Sequence, residues 1–217
     1  DWEPRMEHID FGMMRLPEGK MSTRKGRVIF LEEVLDQAAA EADKVIAEKN
    51  PGLEDRAAVA EMVGVGAVFF NDLKRERVKD VEFVWEEVLS FEGDTGPYVQ
   101  YTHTRLASIL RKGAAEQAEL DSPPTPDWGT LNGASAILGK LGRFNAVLSR
   151  AARNAEPSEI TTYALGLCRD TNTWIGAERV LGQAPAVTAA RLAFVDGVRQ
   201  VLVNALGILG VGAPARM

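Results

Sequence analysis

Apolar residues recur at helical spacing through most of this chain, and the intervals between them mark the predicted elements. Leu31, Leu35, Ala38, Ala42 and Val45 form one such row, ended by Asn50-Pro51-Gly52. Leu53 to Leu73 carries a second helical pattern, weakened by Gly64 and Gly66. After Gly93 and Gly96 permit a turn, Pro97 fits a helix's first turn, and Val99, Thr102, Leu106 and Ile109 line its inner face. The stretch DSPPTPDW, residues 121–128, is a loop, because its prolines interrupt any regular element. Beyond it three helices are predicted: one marked by Leu131, Leu138, Leu141 and Leu148, one opening at Pro157 and marked by Ile160, Ala164, Leu167 and Cys168, and one marked by Leu192, Val195, Val198, Leu202, Leu206 and Leu209. Strand signals are confined to the first part: Ile9, Phe11 and Met13 alternate, Val28-Ile29-Phe30 is a short β-forming run, and Val81, Phe83 and Trp85 alternate briefly. The fold class is mainly α, with a bundle of four or more helices from residue 91 onward.

Composition narrows the class without naming a function. With 217 residues, 46% of them hydrophobic and 26% charged, the chain is long enough to bury a real core. A single cysteine, Cys168, allows no internal disulfide and fits a reducing setting. Two distant histidines, His8 and His103, give no zinc pattern, so no metal site is assigned. No run of about 18 apolar residues and no secretory signal occurs, so a cytoplasmic protein with no membrane partner is expected. The opening Asp1 points to a piece of something longer.

Charge is distributed unevenly. The net charge is −6, which argues against indiscriminate nucleic-acid binding, and the acidic stretch 28–72 reads as a solvated face and a poor RNA surface. Yet Arg15, Lys20, Arg24, Lys25 and Arg27 crowd around the lone acid Glu18 in a short loop. From residue types alone two readings stand: a solvated or nucleic-acid-contacting surface loop, or a clamp in which cations and hydroxyls converge on polyphosphate oxygens.

The order of residues adds a resemblance. Lys20-Met21-Ser22-Thr23-Arg24-Lys25-Gly26 resembles the second signature loop of class I aminoacyl-tRNA synthetases, Lys-Met-Ser-Lys-Ser, in the form typical of arginyl-tRNA synthetases. The flanks HIDFGMM and RVIFLEEVLDQA, the segment FEGDTGPYVQYTHTRLASILRK and the ending LGILGVGAPARM are similar to that family at matching places.

The resemblance implies the end of a nucleotide-binding α/β catalytic domain over residues 1–30, a helical connecting region over 31–90 and an anticodon-binding helical bundle over 91–217. It implies that Lys20, Met21, Ser22, Thr23, Arg24 and Lys25 form the catalytic loop, with Ser22, Arg24 and Lys25 on ATP, a magnesium-bound substrate in the intact enzyme. The second lysine of the motif falls on Thr23, so Arg24 or Lys25 stands in for it. The other class signature, His-x-Gly-His, is not in these residues, and the expectation is that they do not make arginyl-adenylate alone.

For the bundle the resemblance implies tRNA(Arg) as partner, beside ATP and L-arginine in the intact enzyme, and no DNA. Tyr98, Tyr101, Arg105, Trp174, Arg216 and Met217 are the expected RNA contacts, with Arg143, Arg150 and Arg153 as further phosphate candidates. The plainer readings stay beside these. A Tyr or Trp in a bundle is commonly packing, His103 fits a satisfied interior position, Cys168 a buried thiol, and Glu32, Glu33 and Asp36 complement a helix dipole. A stand-alone paralogue binding tRNA or a protein is the alternative to an enzyme part.

Overall fold

The computed structural model describes residues 6–15 and 30–217. The order of elements is strand β1 (Met14–Arg15), α1 (Leu31–Lys49), α2 (Arg56–Leu73), β2 (Val81–Glu82), α3 (Trp85–Val88), α4 (Gly96–Ala118), a 3-10 turn (Trp128–Thr130), α5 (Ser135–Asn154), α6 (Ser158–Ala177) and α7 (Pro185–Ile208). The mainly helical class expected above is what the fold shows.

Local chemistry explains the ends of these helices. Glu32 and Glu33 lie in the first turn of α1, where the helix dipole favours them. At α4 the Thr95 hydroxyl accepts the Tyr98 N–H at 3.2 Å while Pro97 fills the first turn, so the expected start is found. Gly210, at φ +70°, turns the chain out of α7 into the tail.

One core gathers the bundle. Phe70 of α2, Val99 and Leu106 of α4, Ile137 and Phe144 of α5, Leu167 and Cys168 of α6, and Val195, Leu202 and Leu206 of α7 belong to a single buried cluster. Burying a side chain of this size contributes about 1.5–3 kcal/mol before ordering costs are subtracted. The rows predicted for α6 and α7 are the buried ones. In α5 the expected row is corrected in part: Leu138 is 47% exposed and Leu131 precedes the helix, while Leu131, Leu141 and Leu148 pack partly buried against the core and Ile137, Phe144, Val147 and Ala151 are the buried positions. The core-facing stripe is therefore centred on residues beside the leucines.

α1 and α2 form an antechamber to this bundle, with small clusters of their own, such as Ala42, Ile46, Val59 and Val63. Gly64 and Gly66, which weaken the helix pattern in sequence, allow its close packing. A Cβ on Gly64 would fall 2.4 Å from the Ala38 carbonyl carbon, and one on Gly66 would fall 2.8 Å from Gln100 Nε2.

The strand expectations change most. Residues 8–13 form no strand; only Met14–Arg15 pairs, in parallel, with Val81–Glu82. Phe30 precedes α1 rather than lying in a strand, Trp85 opens α3, and Val28 and Ile29 lie outside the described residues. Asp80 holds the short pair together, accepting Met13 N–H at 2.8 Å and pairing with Arg15, while Arg77 pairs with Asp10 and sends its own N–H to Glu156 at 3.3 Å.

Candidate functional site

A cavity of about 530 Å³ opens where α1, α4, α6 and the tail meet. The end of α1 supplies Ile46, Lys49 and Asn50, the following loop supplies Phe91 and Glu92, and the first turns of α4 supply Tyr98, Tyr101 and Arg105. Asn172 of α6 and Met217 complete it.

The helical spacing of Tyr98, Tyr101 and Arg105 sets them on one side of α4. Tyr101 is 52% exposed and Tyr98 half-buried. Asn172 fixes the group. Because a guanidinium can only donate, the Asn172 Oδ1 accepts from Arg105 Nη1 at 3.2 Å, leaving its Nδ2 to donate to the Tyr98 hydroxyl at 3.2 Å and to Thr102 Oγ1 at 3.0 Å. Thr102 in turn donates to the Tyr98 carbonyl at 2.9 Å. The Tyr98 hydroxyl proton and the remaining Arg105 N–H groups are left to address a ligand. On the opposite wall Lys49 Nζ stands 5.2 Å from the Phe91 ring centroid, and Asn50 Nδ2 donates to the Met217 carbonyl at 3.1 Å.

The arrangement suits binding: it offers an open aromatic face, the cations Lys49 and Arg105, the carboxylate of Glu92 and several hydrogen-bond donors. The thiol of Cys168 is sealed in the core, and burial pushes its pKa up to about 12, so it is inert. Among the described residues no group of His, Cys, Asp and Glu could hold a metal ion, and no helix is long and apolar enough to cross a membrane.

Of the RNA contacts expected from sequence, Tyr98, Tyr101, Arg105 and Met217 come together here. Arg216 is exposed beside them but does not line the cavity. Trp174 requires correction as a stacking platform: it is 5% exposed, its Nε1–H donates to the Asn132 carbonyl at 2.8 Å, and it packs edge-on against Phe194 at 4.7 Å. Of the α5 arginines, Arg150 pairs with Glu159 and Arg153 donates to the Ser149 carbonyl, both away from the cavity; Arg143 does not line it either. His103 is buried, as its interior reading expects. Lys20, Met21, Ser22, Thr23, Arg24 and Lys25 lie outside the described residues. Lys49, Asn50, Phe91 and Asn172 escaped sequence reasoning. Lys49 and Asn50 sit in the stretch 28–72 read there as a poor RNA surface, and only tertiary contact brings them to α4.

Comparison with known proteins agrees with this architecture. Residues 99–217 match the DALR anticodon binding domain, and residues 3–85 match the class I tRNA synthetase (R) catalytic domain. An anticodon-binding helical domain following part of a class I synthetase catalytic domain defines the class. The curated arginine–tRNA ligase of Exiguobacterium sibiricum is 46% identical over 98% of this chain and 37% of its own length. That of Oenococcus oeni is 44% identical over 100% of this chain and 38% of its own. The chain belongs to the arginyl-tRNA synthetase family, and it spans little more than a third of the length of these relatives. The Thermus thermophilus arginyl-tRNA synthetase superposes with a TM-score of 0.82 at 32% identity, over 95% of this chain and 35% of that one. The Plasmodium falciparum arginyl-tRNA synthetase shares the fold, with a TM-score of 0.74 at 16% identity over 97% of this chain and 35% of that one.

Proposed function

We propose that the intact protein is a cytoplasmic arginine–tRNA ligase and that the cavity between α1, α4, α6 and the tail receives the unpaired anticodon-loop bases of its arginine-accepting tRNA. The observation that carries this reading is the convergence of Tyr98, Tyr101, Arg105, Asn172 and Met217 from distant parts of the sequence. Tyr101 offers its exposed ring to a base. Arg105, aimed by Asn172, meets a phosphate or a base edge, and Tyr98 donates its hydroxyl proton.

In the same reading residues 1–30 end the nucleotide-binding part of the catalytic domain, 31–90, most of which the catalytic-domain match takes in, connect it to the bundle, and 91–217 bind the anticodon. Lys20, Arg24 and Lys25 neutralise charge on the phosphates of magnesium-bound ATP as the carboxylate of L-arginine attacks and pyrophosphate departs, with Met21, Ser22 and Thr23 completing the loop. The sequence of that loop supports the assignment.

Binding of this chain to an arginine-accepting tRNA, measured at two salt concentrations beside the same tRNA with changed anticodon bases, tests the cavity. Salt-sensitive binding that falls with the base change is expected, and Tyr101→Ala should weaken it by about 1–3 kcal/mol while leaving stability within about 0.5 kcal/mol. Binding indifferent to both the anticodon and Tyr101 would sink the reading.

A further inference from the structure

The segment after Gly210 has no ladder of its own. Beyond Val211, whose N–H reaches the Leu206 carbonyl at 2.9 Å, the carbonyls of Gly212, Pro214, Ala215 and Met217 are held by side chains. Four of these project from α4 at helical spacing. Gln100 Nε2 donates to the Gly212 carbonyl at 2.8 Å and to the Met62 carbonyl of α2 at 3.2 Å. His103 Nδ1 lies 3.0 Å from the Pro214 carbonyl, and Thr104 Oγ1 donates to the same oxygen at 2.8 Å. Since a carbonyl only accepts, the proton of His103 sits on Nδ1. Arg111 Nη1 reaches the Ala215 carbonyl at 2.8 Å, and Asn50 takes Met217.

These are costly residues for the inside of a bundle. Gln100 is fully buried, His103 and Thr104 nearly so, and Gln100 Oε1 has no hydrogen-bond partner among the described residues. Apolar side chains would fill the same volume without desolvating polar atoms. What the polar set adds is direction: two donors converge on a proline carbonyl, which fixes both the height and the rotation of the tail. Close apposition also locks the strap on its other side, because a Cβ on Gly212 would fall 2.2 Å from Met62 Cγ.

We propose that His103 and Thr104, with Gln100, are positioning residues that strap residues 211–217 against α4 and so set Met217 as a wall of the RNA cavity. The proposal rests on the reading of that cavity as an anticodon site. The three residues do not touch RNA; they determine whether Met217 stands opposite Tyr98 and Tyr101.

The test uses the full chain with His103→Leu and Thr104→Val combined, and with Thr104→Val alone in case the pair does not fold. Two readouts are taken: the rate at which a carboxypeptidase releases Met217, and the affinity ratio between the arginine-accepting tRNA and the same tRNA with changed anticodon bases. Faster release is expected, with affinity for the unmodified tRNA lowered about tenfold, the scale of lost buried hydrogen bonds. The affinity ratio should collapse to that of a chain lacking Met217. His103→Asn, which restores a donor near the Nδ1 position, should recover both readouts, which a purely structural role would not require. Unchanged release overturns the strap. Faster release with an unchanged affinity ratio overturns its role in recognition. Tyr101→Ala serves as the control: if it too leaves tRNA binding untouched, the cavity reading itself fails and the proposal falls with it, whereas an effect of Tyr101→Ala alone rejects only the strap.

Discussion

In the bundle, Leu106, Leu167, Leu202 and Leu206 are sealed from solvent, whereas in residues 6–15 Met6, Phe11 and Met13 remain 68%, 81% and 61% exposed. Both regions contain apolar residues in regular patterns. The bundle offers each of its helices two or more neighbours to pack against, so the pattern is converted into buried area. Among the described residues, the N-terminal segment is held by a two-residue parallel pair, by the Gly12 N–H on the Arg77 carbonyl at 2.6 Å, and by the charged pairs of Arg15 with Asp80 and Arg77 with Asp10. A pattern therefore specifies an element only when the fold supplies a second surface for it.

The sharpest way to test that contrast is to cut into each region. Trp174→Ala removes a buried ring, its edge-on contact with Phe194 and the hydrogen bond to Asn132, and should cost about 3–5 kcal/mol in denaturant unfolding. Phe11→Ala, in the exposed segment, should change the same measurement by less than about 0.5 kcal/mol. Comparable losses at both positions would mean that the two regions unfold as one unit.

The seam between α1 and α2 lies between these extremes. Gly64→Ala should lower stability by about 1–3 kcal/mol despite its better helix propensity, because the added methyl meets the backbone of Ala38 rather than a movable side chain. A stabilised variant would show that the seam relaxes freely. This position also shows what sequence alone conveys. Gly64 reads there as a flaw in a helix, since the partner that makes it necessary is 26 positions away. The same limit explains the strands. Alternation at Ile9, Phe11 and Met13 looked sufficient, but pairing is decided by whether Met14 finds Val81. Rows along α6 and α7 were legible because their core faces are broad and made of residues whose burial their own spacing announces. For the cavity, Tyr98 and Tyr101 were legible as neighbours on one helix and Arg105 as a candidate phosphate contact, while Asn172, which aims them, carries no local signal. Trp174 misled because residue type does not disclose which side of a helix is covered.

The buried tail contacts give the bundle a pH response of its own. Burial depresses the pKa of His103 below its usual 6.5, outweighing the Pro214 contact that raises it, and the nearby Arg199 lowers it further. The unfolded chain then binds a proton near that value which the folded chain refuses, so stability is complete above it and declines as pH falls toward the folded pKa. The thermal midpoint is expected to drop between about pH 7.5 and 5.5, and His103→Asn should flatten part of that slope. An identical slope in both proteins would place the response elsewhere.

A small and local effect should come from the strand pair. Asp80→Asn removes the charge that pairs with Arg15 but keeps an oxygen able to accept the Met13 N–H. Both side chains of that pair are 43% or more exposed, so solvent screens the attraction and its loss should cost less than about 1 kcal/mol. The global unfolding midpoint should barely move. Hydrogen exchange should respond instead, at the amides of Val81 and Phe83, which donate to the Met13 and Arg15 carbonyls at 2.9 and 2.8 Å and lose protection when the pair opens locally. Faster exchange there with an unchanged midpoint means that β1 and β2 open independently of the bundle. A matching fall in the midpoint would mean that Arg77, which links this pair to Glu156 at the α5–α6 junction, transmits the loss into the core and that the two regions are one cooperative unit.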